Sequence, residues 1–142
     1  MRGASAISVV VARRAASVPL VLCSVPAGFP SPADDYLDRP LDFNELLVAN
    51  PDATFAVRVV GDSMIEAGIF PGDIAIVDRS QSASDRTIIL AILDGEFTIK
   101  RYRQRGDRRW LEPENKAYKP IELDEHRPFE VWGCIRNSIR VL

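Results

Sequence analysis

Histidine occurs once in this chain and cysteine twice, and the first 27 positions contain no acidic residue. Two cysteines, Cys23 and Cys134, are too few for a disulfide framework, and with one histidine they do not make a zinc site. Reduced thiols in a cytoplasmic protein are the default expectation, with Cys134 a small core residue, and no metal or other cofactor is expected. No segment approaches the roughly 20 apolar residues of a membrane span, so no membrane partner is expected. The single histidine, His126, stands in the polar run Glu122-Leu123-Asp124-Glu125-His126-Arg127-Pro128 with no orienting pattern around it. It reads as a loop histidine in water, not a catalytic base.

What is present is ordinary for a globular domain. A chain of 142 residues, of which 46% are hydrophobic and 27% charged, fits one domain with a core of its own. Charge is unevenly placed. Three of the 18 basic residues, Arg2, Arg13 and Arg14, lie in residues 1–27, which leaves 15 against 20 acidic residues beyond them, a formal charge of −5. A basic arm (residues 1–27) on an acidic body (residues 28–142) is expected to dock electrostatically. The competing reading of the arm is a secretory signal peptide, with arginines, an apolar stretch and Val25-Pro26-Ala27 before Gly28. Pro19, Ser17, Cys23 and Ser24 interrupt that stretch, and the residue before Cys23 is too large for a lipoprotein signal.

The chemistry is concentrated in residues 57–78, VRVVGDSMIEAGIFPGDIAIVD. A β-rich run ends at Gly61-Asp62-Ser63-Met64, which places Ser63 at a strand end where the backbone bends. A seryl hydroxyl is a poor nucleophile until a base takes its proton. A histidine-dependent esterase of the Gly-Asp-Ser type needs an aspartate three residues before its histidine, and Leu123 occupies that place. Lysine is the other candidate. Residues 87–93 and 96–102 flank Asp94-Gly95, a strong signal for a two-residue hairpin turn. Such a turn pairs Leu93 with Glu96, Ala91 with Thr98 and Ile89 with Lys100, so Lys100 is expected among Ile89, Ala91, Thr98 and Tyr102. The opposite face, Ile88, Leu90, Ile92, Phe97 and Ile99, reads as the core face. A lysine withdrawn from water loses its charged form most readily, whereas an edge-strand lysine left in water would keep it.

These motifs together resemble a known family. Gly28-Phe-Pro-Ser-Pro-Ala-Asp-Asp-Tyr36, Gly61-Asp-Ser-Met-Ile65, Gly72-Asp73, Ile76-Val77-Asp78, Asp94-Gly95-Glu96-Phe97-Thr98 and Lys100 are similar to the LexA/UmuD family of self-cleaving Ser-Lys peptidases. The resemblance covers about residues 27–142. It implies a mainly β domain of bent antiparallel sheets with short helices, of the LexA/signal-peptidase type. It also implies Ser63 as nucleophile, Lys100 as base and Ala27-Gly28 as the bond cut in the protein's own arm. A UmuD-like member would then be a homodimer that serves a UmuC-like subunit of an error-prone, translesion polymerase, with cleavage stimulated by a RecA nucleoprotein filament. A LexA-like repressor is the alternative, but the arm is too short to hold its helix-turn-helix, so no direct sequence-specific DNA binding is expected.

The remaining segments fit the same outline. Small residues and prolines make residues 28–38 a loop. Asp42-Phe-Asn-Glu45 reads as a helix start with a capping box, the helix kept short by Pro51. Residues 54–60 alternate as a strand with Phe55, Val57 and Val59 on one side, and residues 64–69 read as one helical turn. Unpaired N–H groups at the start of such a turn can face an oxyanion, which assigns that role to the backbone of Asp62 and Ser63. Residues 100–109 are a basic cluster about a Gly106-Asp107 turn, read as a solvated hairpin tip or an acidic-partner or nucleic-acid contact. Residues 110–112 and 129–142 read as closing strands, the last alternating Val131, Gly133, Ile135 against Trp132, Cys134, Arg136, with one side left for a partner.

Overall fold

The computed structural model describes residues 7–9, 17–21 and 37–142, and these fall into two compact units, 1–10 with 50–142 and 11–49. In the smaller unit β2 (Ser17–Val21) pairs antiparallel with β3 (Leu37–Asp42), and α1 (Phe43–Leu47) follows. The Asp42 carboxylate accepts from the Asn44 N–H at 2.9 Å, which is the N-cap half of the expected capping box. Cys23, Ala27 and Gly28 lie outside the described residues.

The larger unit is built on one antiparallel sheet that curls into a half-barrel. Its strands are β1 (Ile7–Val9), β4 (Thr54–Arg58), β5 (Ile74–Asp78), β6 (Ile88–Leu93), β7 (Glu96–Arg105), β8 (Arg108–Glu112), β9 (Ile121–Leu123) and β10 (Phe129–Ile139). Their order across the sheet is β1-β4-β5-β10-β6-β7-β8-β9. The mainly β architecture of curled antiparallel sheets with short helices is as the sequence indicates.

The β6–β7 hairpin has the expected register, Leu93 with Glu96, Ala91 with Thr98 and Ile89 with Lys100. Asp94 and Gly95 both take positive φ, and a turn of that kind has a twist that matches the flanking strands. The expected core face is core, with Ile88, Phe97 and Ile99 packed against the cluster that holds Leu90, but the Lys100 side is core as well. Ile89 and Ala91, on the Lys100 side, are buried with Tyr102, Leu111 and Cys134, while Leu90 packs on the other side with Phe55, Val57 and Val77. Both faces of this hairpin are core because a separate hydrophobic cluster packs on each of them.

The alternation expected in the last strand is also overturned. β10 is a central strand between β5 and β6, and its register shifts between Val131 and Gly133 and again between Ile135 and Asn137. Each bulge resets the two-residue period. Trp132 and Ile135 therefore join one core cluster, and Val131 and Cys134 the other. Neither side is left free as an open sheet face. At the first bulge the strands approach so closely that a Cβ on Gly133 would lie 2.6 Å from Val77 Cγ1 and 2.9 Å from the Asp78 carbonyl oxygen.

Candidate active site

Phe55, Val57 and Val59 drive one side of β4 into the core, as their alternation indicates. The strand's ladder runs on past Arg58, since the Val59 N–H donates to the Asp73 carbonyl at 2.8 Å and the Gly72 N–H to the Val59 carbonyl at 2.9 Å. Gly61 then turns the chain in the left-handed region, a conformation that carries no Cβ penalty only in glycine. Met64 and Ile69 drop back into the same core, which leaves Ser63 half-buried at the bend. Ile65–Ala67 forms one 3-10 turn, closed by Gly68 in the same left-handed region, in the stretch expected to be helical.

Lys100 reaches this bend from the middle of β7. Its Nζ lies 3.0 Å from Ser63 Oγ, 2.8 Å from Thr98 Oγ1 and 3.2 Å from the Ile99 carbonyl oxygen. Among the described residues no carboxylate forms an ion pair with it, and burial lowers its pKa from the ordinary lysine value. The three neighbours suit a neutral amine. Two N–H groups can donate to Thr98 and to the Ile99 carbonyl, and the remaining lone pair faces the Ser63 hydroxyl, which can donate to it.

The loop between β8 and β9 braces the Ser63 turn, and nothing in its own sequence singled it out. The Glu114 N–H donates to the Ser63 carbonyl at 2.8 Å, and the Glu66 N–H donates to the Glu114 carbonyl at 2.8 Å. Asn115 Nδ2 donates to the Asp62 carbonyl at 2.8 Å, and the Tyr118 hydroxyl donates to Asp62 Oδ1 at 2.5 Å. That bond to the carboxylate raises the Tyr118 pKa. Among the described residues no acceptor takes the backbone N–H of Asp62 or Ser63.

The other acidic residues of the motif-bearing stretch are braces. Asp73 is buried and accepts from Arg140 Nε at 2.9 Å, Arg140 Nη2 at 3.1 Å, Ser138 Oγ at 3.2 Å and the Phe70 N–H at 2.9 Å. The arginine, foremost, lowers its pKa to about 2. Asp78 is buried too. Burial by itself would raise its pKa, but bonds from Ser80 and Asn50 outweigh that and lower it.

His126 is exposed in the turn before β10, with its N–H donated to Asp124 Oδ1. The basic cluster at 100–109 is largely paired. Arg101 bonds Glu114 at 2.7 Å, Arg103 bonds Asp85 and Glu112, and Arg108 bonds Glu122 at 2.6 Å while lying over the Trp110 ring. Cys134 is a buried free thiol whose pKa burial raises, a packing residue. Among the described residues no group of acidic, cysteine and histidine side chains could hold a metal ion, and no helix is long and apolar enough to cross a membrane.

A serine at a glycine bend, an uncompensated lysine within hydrogen-bond reach and a curled β domain around them invite comparison with known proteins. The Peptidase S24-like family matches residues 19–136. The chain belongs to this family. Within it the relatives are UmuD-like and LexA-like. The protein MucA of Salmonella typhimurium is 40% identical over 129 residues, which span 90% of this chain and 88% of MucA. SamA of the same organism is 42% identical over 124 residues, 87% of this chain and 88% of SamA. LexA repressor 2 of Pseudomonas syringae pv. tomato is 45% identical over 86 residues, 61% of this chain but only 43% of the repressor. For this S24-like chain the similarity thus extends through nearly the full length of MucA and SamA and through less than half of the repressor.

Proposed function

We propose that this S24-like chain is a serine peptidase that cuts its own arm at Ala27-Gly28, and that the trimmed form is the accessory subunit of a translesion DNA polymerase. The observation that carries the reading is the 3.0 Å approach of Lys100 Nζ to Ser63 Oγ without a carboxylate partner among the described residues. Neutral Lys100 accepts the Ser63 proton as Oγ attacks the Ala27 carbonyl carbon. The Asp62 and Ser63 N–H groups receive the oxyanion. Collapse breaks the bond to the Gly28 nitrogen, which takes the proton back from Lys100, and leaves residues 1–27 as an ester on Ser63. Water, deprotonated by the same amine, hydrolyses that ester and restores the serine. Thr98 and the Ile99 carbonyl hold Nζ so that its lone pair points at the hydroxyl. For the base to be free near neutrality its pKa must fall by about three units, roughly 4 kcal/mol of differential solvation, and burial can supply this.

Ala27 is small enough for a shallow site beside the nucleophile, glycine after it permits close backbone approach, and Pro26 favours an extended substrate. The polymerase role, the homodimer and stimulation by a RecA filament come with the UmuD-like kinship of MucA and SamA. Intact-mass measurement after incubation at mildly alkaline pH tests the peptidase reading. Wild type should yield residues 28–142 and 1–27, while Ser63→Ala and Lys100→Ala stay whole. A Ser63→Ala chain that still begins at Gly28 is being cut by another peptidase, the outcome of a signal peptide. The accessory role predicts that a polymerase catalytic subunit co-purifies with residues 28–142.

A further inference from the structure

Asn115 is held by its own loop before it touches the nucleophile turn. Its Oδ1 accepts from the Ala117 N–H at 2.9 Å and its carbonyl accepts from the Tyr118 N–H at 3.0 Å, which fixes the side chain and aims Nδ2 outward. Nδ2 then donates to the Asp62 carbonyl at 2.8 Å, across 53 positions of sequence. The other donor to that oxygen is the Ile65 N–H at 3.4 Å, a poor bond by length.

The Asp62 carbonyl and the Ser63 N–H belong to one planar trans peptide, so they point in opposite directions and turn together. This peptide lies between β4 and the 3-10 turn, in neither ladder, and it follows a glycine, so regular structure does not fix its orientation. Whatever holds the carbonyl oxygen therefore aims the N–H. Among the described residues that N–H has no acceptor, which leaves it available to a developing oxyanion. The Tyr118 hydroxyl braces the Asp62 carboxylate on the same loop.

We propose that Asn115 is a positioning residue for catalysis: it clamps the Asp62 carbonyl and thereby aims the Ser63 N–H into the oxyanion site. The proposal rests on the peptidase reading above. A backbone donor in an oxyanion hole is worth on the order of 100- to 1000-fold in rate when removed, so a donor that is present but misaimed should cost about 10- to 100-fold.

Asn115→Asp tests the clamp in the full chain, because it keeps the acceptor for Ala117 N–H and replaces the donor to Asp62 with a charged oxygen. Asn115→Ala, which adds no charge, serves beside it. The readouts are the first-order rate of arm release across pH and the melting temperature. The expected result is a rate about 10- to 100-fold lower in both variants, with the pH midpoint of the rate unchanged in Asn115→Ala and the melting temperature unchanged in Asn115→Asp, which keeps the Ala117 bond. A midpoint that stays put shows Lys100 undisturbed, which a general loosening of the site would not leave intact. Cleavage by either variant within about threefold of wild type overturns the proposal, and so does a slow Asn115→Ala whose pH midpoint has moved. A wild-type chain that stays whole under the same conditions removes the peptidase reading and this role with it, whereas fast cleavage by Asn115→Asp removes this role alone.

Discussion

Burying an amine removes the proton that blocks base chemistry and also withdraws the hydration that a charged lysine would keep. As the proposed base, Lys100 therefore comes at some expense to the fold. Its folded pKa is depressed, so the unfolded chain binds more protons, and the wild-type fold gains stability as pH rises toward the ordinary lysine value near 10.4. Lys100→Met should abolish cleavage and raise the melting temperature at neutral pH by about 2–5 °C, the span roughly 1 kcal/mol produces in a domain of this size. That advantage should narrow as the melting experiment is moved to higher pH, and an equal or lower melting temperature at neutral pH would count against a penalty for burial. Asp73 has the opposite sign. Its carboxylate, held at about 2 by Arg140, contributes stability in full above the unfolded value near 3.9, and the contribution is lost as pH falls through about 2. Arg140→Ala should shift acid unfolding to higher pH, followed by circular dichroism. Ser63 and Lys100 were legible in the sequence because local pattern displays each of them, one at a strand end and one opposite a countable hairpin position. Asn115 and Tyr118 were not, because their partner Asp62 lies 53 and 56 residues away and only the folded sheet brings them together.

Elements inherit their predictability from turns. Asp94-Gly95 fixes the β6–β7 register through two backbone angles, so the position of Lys100 could be counted outward from it. The same counting fails in β10, where two bulges reset the alternation and where both faces meet core. A bulge leaves little trace in a strand sequence beyond a glycine, and Gly133 carries a further constraint in the close approach of Val77 and Asp78. Gly133→Ala should destabilise the domain by about 1–3 kcal/mol, because the added methyl forces the β10–β5 seam apart. Chemical denaturation measures this, and a loss no larger than that of an ordinary surface substitution would show that the seam can widen freely. The basic run at 100–109 likewise looked unpartnered in sequence, since the acids that neutralise it, Asp85, Glu112, Glu114 and Glu122, come from neighbouring strands and loops.

For the whole molecule, the proposed cut at Ala27-Gly28 separates β1 and β2 from every other strand of the chain. β1 covers the outer edge of β4 in the intact chain, with Ile7 opposite Val57 and Val9 opposite Phe55. An uncovered edge strand is a pairing surface. Removal of residues 1–27 should therefore quicken amide exchange along the outer edge of β4, relative to full-length Ser63→Ala, while the β4–β5 ladder keeps its protection. Equal exchange in the two chains would contradict β1 as the cover of that edge. The proposed self-cleavage, its pH dependence and the stability expected from Lys100→Met all depend on one amine being neutral beside one hydroxyl. The direct measurement is an NMR titration of the Lys100 side chain in the Ser63→Ala protein, which cannot cleave itself. A pKa well below the ordinary lysine value near 10.4 is the predicted result, and a value at or above it would contradict the account.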